Sequence, residues 1–295
     1  MLLLKQSSIG RHGRKKKVRI MTFRGGIELG EKILNMANIQ DAKNDAWLLL
    51  AMACKIDHTY YYVHMDEDMT QEQLKEYESI LKKRAEHIPL QYITGEQEFM
   101  GLSFHVNSNV LIPRQDTETL VEEALKVVKP GMKVLDMCTG SGCIIISILK
   151  NVPEIEGLGV DISKQALIVA KENARSNEVA VEFERSNLFE KITDKFDVIV
   201  SNPPYIPTDD ILGLMPEVAN FEPREALDGS ADGLEFYRRI IKDSREHLKE
   251  NGWILFEIGC DQGAAVSEML DYAGFKEIRV IKDLARNDRV VIGRM

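Results

Sequence analysis

Met132-Lys133-Val134-Leu135-Asp136-Met137-Cys138-Thr139-Gly140-Ser141-Gly142-Cys143-Ile144-Ile145-Ile146-Ser147-Ile148-Leu149 passes from a strand-like apolar run, through a turn with two glycines, into a helix-like apolar run. Strand, glycine turn and helix in this order open one half of a ligand-binding α/β sheet. Gly140 and Gly142 let the backbone turn sharply and pass close to a ligand, and Asp136 at the strand end can accept hydrogen bonds or face a positive charge. A Gly-x-Gly turn alone often serves only tight packing. The second half of the signal is Asp161, which ends the next strand, Leu158-Gly159-Val160-Asp161, 19 residues beyond Gly142. An acidic residue at about that distance meets ribose hydroxyls in a Rossmann-like half. The turn Cys138-Thr139-Gly140-Ser141-Gly142 lacks a full G-x-G-x-x-G pattern and follows an aspartate, which disfavours a pyrophosphate and favours a cation. S-adenosylmethionine, a sulfonium with a zwitterionic tail and no phosphate, fits this charge pattern better than a dinucleotide.

Downstream, Phe196-Asp197-Val198-Ile199-Val200-Ser201 reads as another strand, and Asn202-Pro203-Pro204-Tyr205 leaves its carboxyl end. Open α/β sheets bind ligands there. Two prolines fix φ and supply no N–H, giving a stiff corner with free carbonyls. With the Asn202 side-chain oxygen and the Tyr205 ring, the corner suits a planar group bearing an NH2, an amide or an exocyclic base amine. By itself a Pro-Pro pair is most often a plain turn; the upstream nucleoside site changes that weighting.

Around these two segments strands and helices alternate. Helix 117–128, strand 132–136, helix 143–150, strand 157–161, helix 163–176, strands 179–184 and 196–201, helix 232–249, strand 252–258 and helix 261–272 imply a parallel sheet wrapped by helices. The last two strands, 276–281 and 288–293, are too close for a crossover helix and should pair antiparallel. The expected fold is therefore α/β, mostly parallel with one antiparallel edge strand. Ahead of it, Leu29, Ile33, Met36 and Ala37, then Ala42, Ala46, Leu49, Leu50 and Ala53 behind an Asp41 cap, keep helical spacing. Thr70-Gln71-Glu72-Gln73 is a capping-box pattern opening a third helix with Leu74, Tyr77, Leu81 and Ala85 inward. Between the parts, 98–106 and 109–112 alternate like a hairpin turning at Asn107-Ser108, with Phe99 and Phe104 either overhanging the cofactor or packing in the core. The expected division is a basic, disordered extension over 1–20, a helical domain over 21–90, a hairpin linker over 91–112 and a catalytic domain over 113–295.

The chain has 295 residues, 44% hydrophobic and 29% charged, ordinary for a globular protein. No apolar stretch approaches the roughly 20 residues that cross a bilayer. Cys54, Cys138, Cys143 and Cys260 are scattered, without metal-ligand or disulfide spacing, and the histidines are unpaired. Reduced thiols, a cytoplasmic location and no metal follow as expectations. Residues 1–20 carry Lys5, Arg11, Arg14, Lys15, Lys16, Lys17 and Arg19 and no acid, against a net formal charge of −9 for the chain. A non-functional extension ahead of Met21 is the favoured reading, with an RNA-touching arm as the alternative.

Together, Leu111-Ile112-Pro113-Arg114 with Asp116-Thr117-Glu118, the Leu135–Gly142 turn, Asp161, Ser186-Asn187-Leu188-Phe189, Asn202–Tyr205, Glu222-Pro223-Arg224-Glu225-Ala226-Leu227 and Asp288-Arg289-Val290-Val291 resemble the bacterial release-factor glutamine N5-methyltransferase family. The resemblance runs from Met21 to the C-terminus. Cys138 stands where that family often has glycine, Gln115 where proline is common, Arg286 where glycine is common, and Leu188 where some members have tryptophan. The resemblance implies a Rossmann-like class I methyltransferase domain behind a small helical domain that meets the protein substrate. It implies S-adenosylmethionine as cofactor, S-adenosylhomocysteine as product, and methylation of the glutamine in the Gly-Gly-Gln motif of peptide chain release factors. In that reading Asp136 and the turn 138–142 hold the cofactor, Asp161 its ribose, and Asn187 and Leu188 its adenine. Asn202 and a backbone carbonyl of Pro203 accept the amide N–H groups, with Pro204 and Tyr205 completing the corner. A monomer is expected, without a nucleic-acid or membrane requirement. The rivals are a glutamine methyltransferase of a ribosomal protein, a DNA adenine methyltransferase, which the acidic body disfavours, and a non-catalytic module on the same scaffold.

Overall fold

The computed structural model describes residues 20–295, in two compact units that divide between Glu86 and His87. The basic extension, save its last residue, lies outside the described residues. Among those described, no helix is long and apolar enough to cross a membrane.

The first unit is helical: α1 (Phe23–Met36), α2 (Ala42–Cys54), α3 (His58–His64) and α4 (Gln71–Ala85). The capping box at the start of α4 forms as its sequence demands, Thr70 Oγ1 accepting the Gln73 N–H and Gln73 Oε1 accepting the Thr70 N–H. Asp41 precedes α2 without making a side-chain cap bond. The inward face of α1 differs from the apolar stripe of its sequence. Phe23, Gly26, Gly30 and Leu34 are buried, whereas Met36 is 76% exposed. The reason is close approach: a Cβ on Gly30 would lie 2.0 Å from Tyr77 Oη and 3.0 Å from Ala46 Cβ. Tyr77 fills that space and donates its hydroxyl toward the carbonyls of Gly26 (3.1 Å) and Ala46 (3.3 Å), so one phenol joins α1, α2 and α4.

The second unit opens with the short helix α5 (Leu90–Thr94) and the hairpin β1 (Glu96–Phe99) and β2 (Leu102–His105). The hairpin turns at Met100-Gly101, not at Asn107-Ser108. Met100 and Gly101 both have positive φ (51° and 72°), the requirement of the two-residue turn that matches strand twist. Asn107 instead accepts the Asn109 N–H on its own side chain at 2.9 Å, a local turn outside the ladder. Phe99 and Phe104 are 1% and 0% exposed and pack edge to face in the core.

There follow α6 (Glu118–Val127), β3 (Lys133–Met137), α7 (Cys143–Asn151), β4 (Glu156–Asp161), α8 (Lys164–Ser176), β5 (Glu182–Arg185), β6 (Phe196–Ser201), α9 (Pro216–Phe221), α10 (Glu235–His247), β7 (Leu248–Glu257), α11 (Gly263–Tyr272), β8 (Lys276–Lys282) and β9 (Asp288–Arg294). The seven-stranded sheet has the order β5-β4-β3-β6-β7-β9-β8. The expected mixed fold stands, with one refinement of position: the reversed strand is β9, antiparallel to both β7 and β8, and it sits one place in from the edge. Burial alternates with the strand period of two. Leu135, Met137, Ile199, Ile254, Phe256 and Val291 point into one core layer with α10 and α11. Val134, Val198, Val200, Leu255, Val290 and Ile292 point into the other with α6, α7 and the hairpin. Strand order reverses between β3 and β6, which places the glycine turn and the Asn-Pro-Pro-Tyr corner side by side at the crevice where such sheets bind ligands.

Candidate active site

At the carboxyl ends of β3, β4 and β6 lies a cavity of about 920 Å³. Cys138, Thr139, Gly140, Ser141, Asp161, Asn187, Leu188, Asn202 and Pro204 line it; Asp136, Gly142, Pro203 and Tyr205 do not. The strands set this arrangement. Met137 and Ser201 are register partners, and Ser201 Oγ donates to the Met137 carbonyl at 2.6 Å, so both segments leave the sheet at one level.

Asp136 lies beneath the turn with no exposed surface. Its Oδ2 accepts the Thr139 hydroxyl at 2.6 Å, while Oδ1 has no partner. Burial pushes its carboxyl up to about 7, against the opposing effect of the Thr139 bond. Asp136 therefore shapes the turn from within and does not face the cavity, a correction to the expected direct contact, since its strand position points it into the protein. Cys138 adopts φ 65°, a left-handed conformation natural to glycine. Gly142, at φ 80°, packs so that a Cβ would lie 3.0 Å from Ile146 Cδ1 and 3.2 Å from Ala170 Cβ. It serves the start of α7. At Gly140, φ 55°, an added Cβ would meet no protein atom within 4 Å, because that side is open cavity.

Asp161 closes the turn from β4. Its Oδ2 accepts the Gly140 N–H at 2.9 Å and its Oδ1 the Ser163 N–H at 2.8 Å. Burial raises its carboxyl above the ordinary value, offset by the bonds from Ser163 and Gly140. A carboxylate has about four acceptor positions, so positions remain for a diol. Leu188 gives the cavity an apolar wall. The Asn187 side chain is engaged: Oδ1 accepts from Arg239 Nη2 at 2.9 Å and Nδ2 donates to Glu190 at 2.5 Å.

At the corner, Asn202 Nδ2 donates to Thr117 Oγ1 at 3.4 Å, which turns the amide oxygen the other way. Pro203 is buried. The Tyr205 carbonyl accepts from Gln262 Nε2 at 2.9 Å, and its side chain packs on the core beneath the sheet end. The aromatic wall expected of Tyr205 is thus absent from the cavity, where Pro204 forms the wall instead. Several further residues, without a local signal in the sequence, shape the site. Arg114 pairs with the nearly inaccessible Glu222 at 2.5 Å; Thr117, Phe236 and Arg239 line the cavity; and Asn173, fully buried on α8, bonds the backbone of His105 and Ser141. Arg114 and Glu222 stood inside quoted motifs, but nothing local signals their pairing. Each of the three cavity arginines is held, Arg114 by Glu222, Arg224 by Asp228 at 3.2 Å and Arg239 by Asn187.

Residues 27–95 match the PrmC N-terminal domain family, and residues 115–212 match the methyltransferase small domain family. The chain is 41% identical over 281 residues to the release factor glutamine methyltransferase of Geobacter sulfurreducens, spanning 95% of this chain and 99% of that protein. It is 42% identical over 267 residues to the release factor glutamine methyltransferase of Clostridium acetobutylicum, spanning 88% and 94%. A methyltransferase structure from Pyrococcus furiosus aligns over 66% of this chain and 89% of that one, with a TM-score of 0.50 and 16% identity, a likeness of fold alone. By identity above 40% over nearly the whole length of two relatives, the chain belongs to the release factor glutamine methyltransferase family.

Proposed function

We propose that this protein transfers a methyl group from S-adenosylmethionine to the side-chain amide nitrogen of the glutamine in the Gly-Gly-Gln motif of peptide chain release factors. The observation that carries the reading is Asn202: its amide nitrogen is occupied by Thr117, so its oxygen is left as an acceptor on the cavity wall, level with the glycine turn. The residues present fit the cofactor. Asp161, beside the open face of Gly140, suits an uncharged ribose and a cationic centre. A volume of about 920 Å³ is near the upper end of small-molecule sites, which leaves space for a substrate side chain beside a nucleoside.

S-adenosylmethionine, when bound, supplies an electrophilic methyl group. An amide nitrogen is a poor nucleophile because its lone pair is delocalised, so the protein's task is orientation. The Asn202 oxygen accepts an amide N–H, which aims the nitrogen and stabilises the positive charge that develops on it. Asp161 holds the ribose diol, Leu188 and the backbone of Asn187 border the adenine, and Asp136 supports the turn from below. The proton leaves to water after alkylation, so no strong base is required. The helical domain over 21–90 recognises the release factor, 91–112 links it to the catalytic domain over 113–295, and the protein acts as a monomer in the cytoplasm. Radiolabelled methyl transfer to a release factor, to the same factor with its glutamine replaced, and to DNA tests the reading: label in the first alone supports it, and label in the second or in DNA contradicts it.

A further inference from the structure

The corner that carries Asn202 begins where the ladder of the sheet stops. Ser201 is the last residue of β6 with register partners, Met137 on β3 and Phe256 on β7. Beyond it, Pro203 and Pro204 have no N–H with which to continue the pairing. The far end of the corner is held by Gln262, a residue 8% exposed that does not line the cavity. Gln262 is the N-cap residue of α11, yet its side chain makes no cap bond and turns to the corner instead. Its Nε2 donates to the Tyr205 carbonyl at 2.9 Å and to the Gly233 carbonyl at 3.3 Å, and its Oε1 accepts the Gly259 N–H at 2.9 Å. A backbone N–H can only donate, so Gly259 sets which end of the amide is oxygen, and both Nε2 protons are committed to the two carbonyls. The Tyr237 hydroxyl, which donates to the Glu257 carbonyl at 2.8 Å, lies 3.4 Å from Oε1. Backbone packs directly on the same residue: a Cβ on Gly229 would lie 2.7 Å from Tyr205 Cα, and one on Gly233 would lie 2.3 Å from the Tyr205 carbonyl oxygen.

Between these two anchors the chain is stiff. Each proline fixes its own φ, and Asn202 and Pro203 each precede a proline, which confines them to extended backbone. Asn202 follows the last ladder pair directly and is joined to the Tyr205 carbonyl through the two prolines. Held at Ser201 alone, such a rod can swing about the end of the strand and carry Asn202 with it; held at both ends, it cannot. We infer that Gln262 is a positioning residue, which fixes the far end of the Asn-Pro-Pro-Tyr corner and so holds Asn202 at the cavity wall for the substrate amide. The inference rests on the function proposed above, and it adds to the reacting constellation a residue that touches neither substrate nor cofactor.

Gln262→Met keeps the length of the side chain and removes its amide. Its single-turnover methylation rate at saturation should fall roughly 10–100-fold, since a displacement of about 1 Å at a reacting group costs up to about 10²-fold. The KM for the release factor and the affinity for S-adenosylmethionine should stay near wild-type values, a split that a general loosening of the cavity would not give. In an Asn202→Ala background the same substitution should cost nothing further, because the residue through which it acts is gone. Gln262→Glu supplies a rescue: the carboxylate has no donor for the two carbonyls, whereas the protonated acid can donate to the Tyr205 carbonyl while its other oxygen still accepts the Gly259 N–H. Its rate should therefore rise as pH falls, taken as a ratio to wild type at each pH to set aside the titration of Tyr205, Tyr237, Glu257 and Asp261, which both proteins share. The glutamate variant carries the test alone should the methionine variant fail to fold. A wild-type rate in folded Gln262→Met, an equal loss in the Asn202→Ala background, or a pH-independent ratio for Gln262→Glu overturns the inference. If the wild type itself fails to methylate a release factor, the substrate reading is what falls; the side-chain amide resonances of Asn202, recorded without ligands, then decide the positioning, since they should move in Gln262→Met and overturn it by staying in place.

Discussion

Replacing Asp161 with alanine removes three things that the structure assigns to one carboxylate. Its Oδ2 holds the Gly140 N–H at 2.9 Å, its Oδ1 holds the Ser163 N–H at 2.8 Å, and its remaining lone pairs face the cavity. A hydrogen bond to a charged group contributes about 1.5–3 kcal/mol. Lost cofactor contact at that magnitude weakens S-adenosylmethionine binding roughly 10–150-fold. The two backbone bonds do not add fully to a stability loss, because an open cavity lets water reach the freed N–H groups, so about 2–3 kcal/mol is expected rather than their sum. Asp161→Asn, which keeps one acceptor oxygen and loses the charge, should fall between alanine and wild type in both quantities. Calorimetric titration with S-adenosylmethionine, beside urea unfolding of the same variants, separates the effects. A folded Asp161→Ala protein that binds the cofactor with wild-type affinity refutes the ribose assignment.

Two further outcomes follow from buried groups. Burial raises Glu257 from 4.5 to about 7, despite the opposing Thr117 bond and the Arg289 charge. Between those values the folded protein binds more protons than the unfolded chain, so this group's contribution to stability declines as pH rises and levels off above about 7. Glu257→Gln, which cannot ionise, should therefore gain on the wild type by roughly 3 kcal/mol between about pH 4 and about pH 8, at about 1.36 kcal/mol per unit. Urea unfolding at the two pH values checks this, and parallel pH profiles for the two proteins contradict it. In the helical unit, Gly30→Ala gains about 1 kcal/mol of helix propensity but drives a Cβ to 2.0 Å from Tyr77 Oη. Overpacking and the loss of the two Tyr77 bonds outweigh the gain, for a net loss of about 2–4 kcal/mol; a stability equal to wild type by chemical unfolding contradicts the glycine-face packing.

The features legible in the sequence are those whose physics is local. The strand-turn-helix at 132–149, the acid at 161, the proline corner and the Thr70–Gln73 capping box each carry their signal within a few residues, and the alternation of elements gave the α/β sheet. What stayed hidden depends on distant partners. The inward face of α1 includes Gly26 and Gly30, which apolar periodicity cannot detect, and Gly30 packs on Tyr77, 47 positions beyond it. The hairpin turn went to Asn107-Ser108 because a Met-Gly pair with two positive φ values is a weaker local signal than Asn-Ser. In the site, Asp136 and Tyr205 carry the right chemistry but point into the protein, a matter of strand register. Thr117, Glu257, Arg239 and the Arg114–Glu222 pair meet only when β6, β7, α10 and the segment before α6 are assembled.

In the proposed reaction Asn202 orients the substrate amide. Single-turnover methylation of a release-factor Gly-Gly-Gln domain by Asn202→Ala, measured beside cofactor titration of the same protein, tests it most directly. The rate should be lower by about 10²–10³-fold, as on removal of one preorganised polar group, with S-adenosylmethionine affinity largely intact. Methyl transfer at a near-wild-type rate by the alanine variant would contradict it.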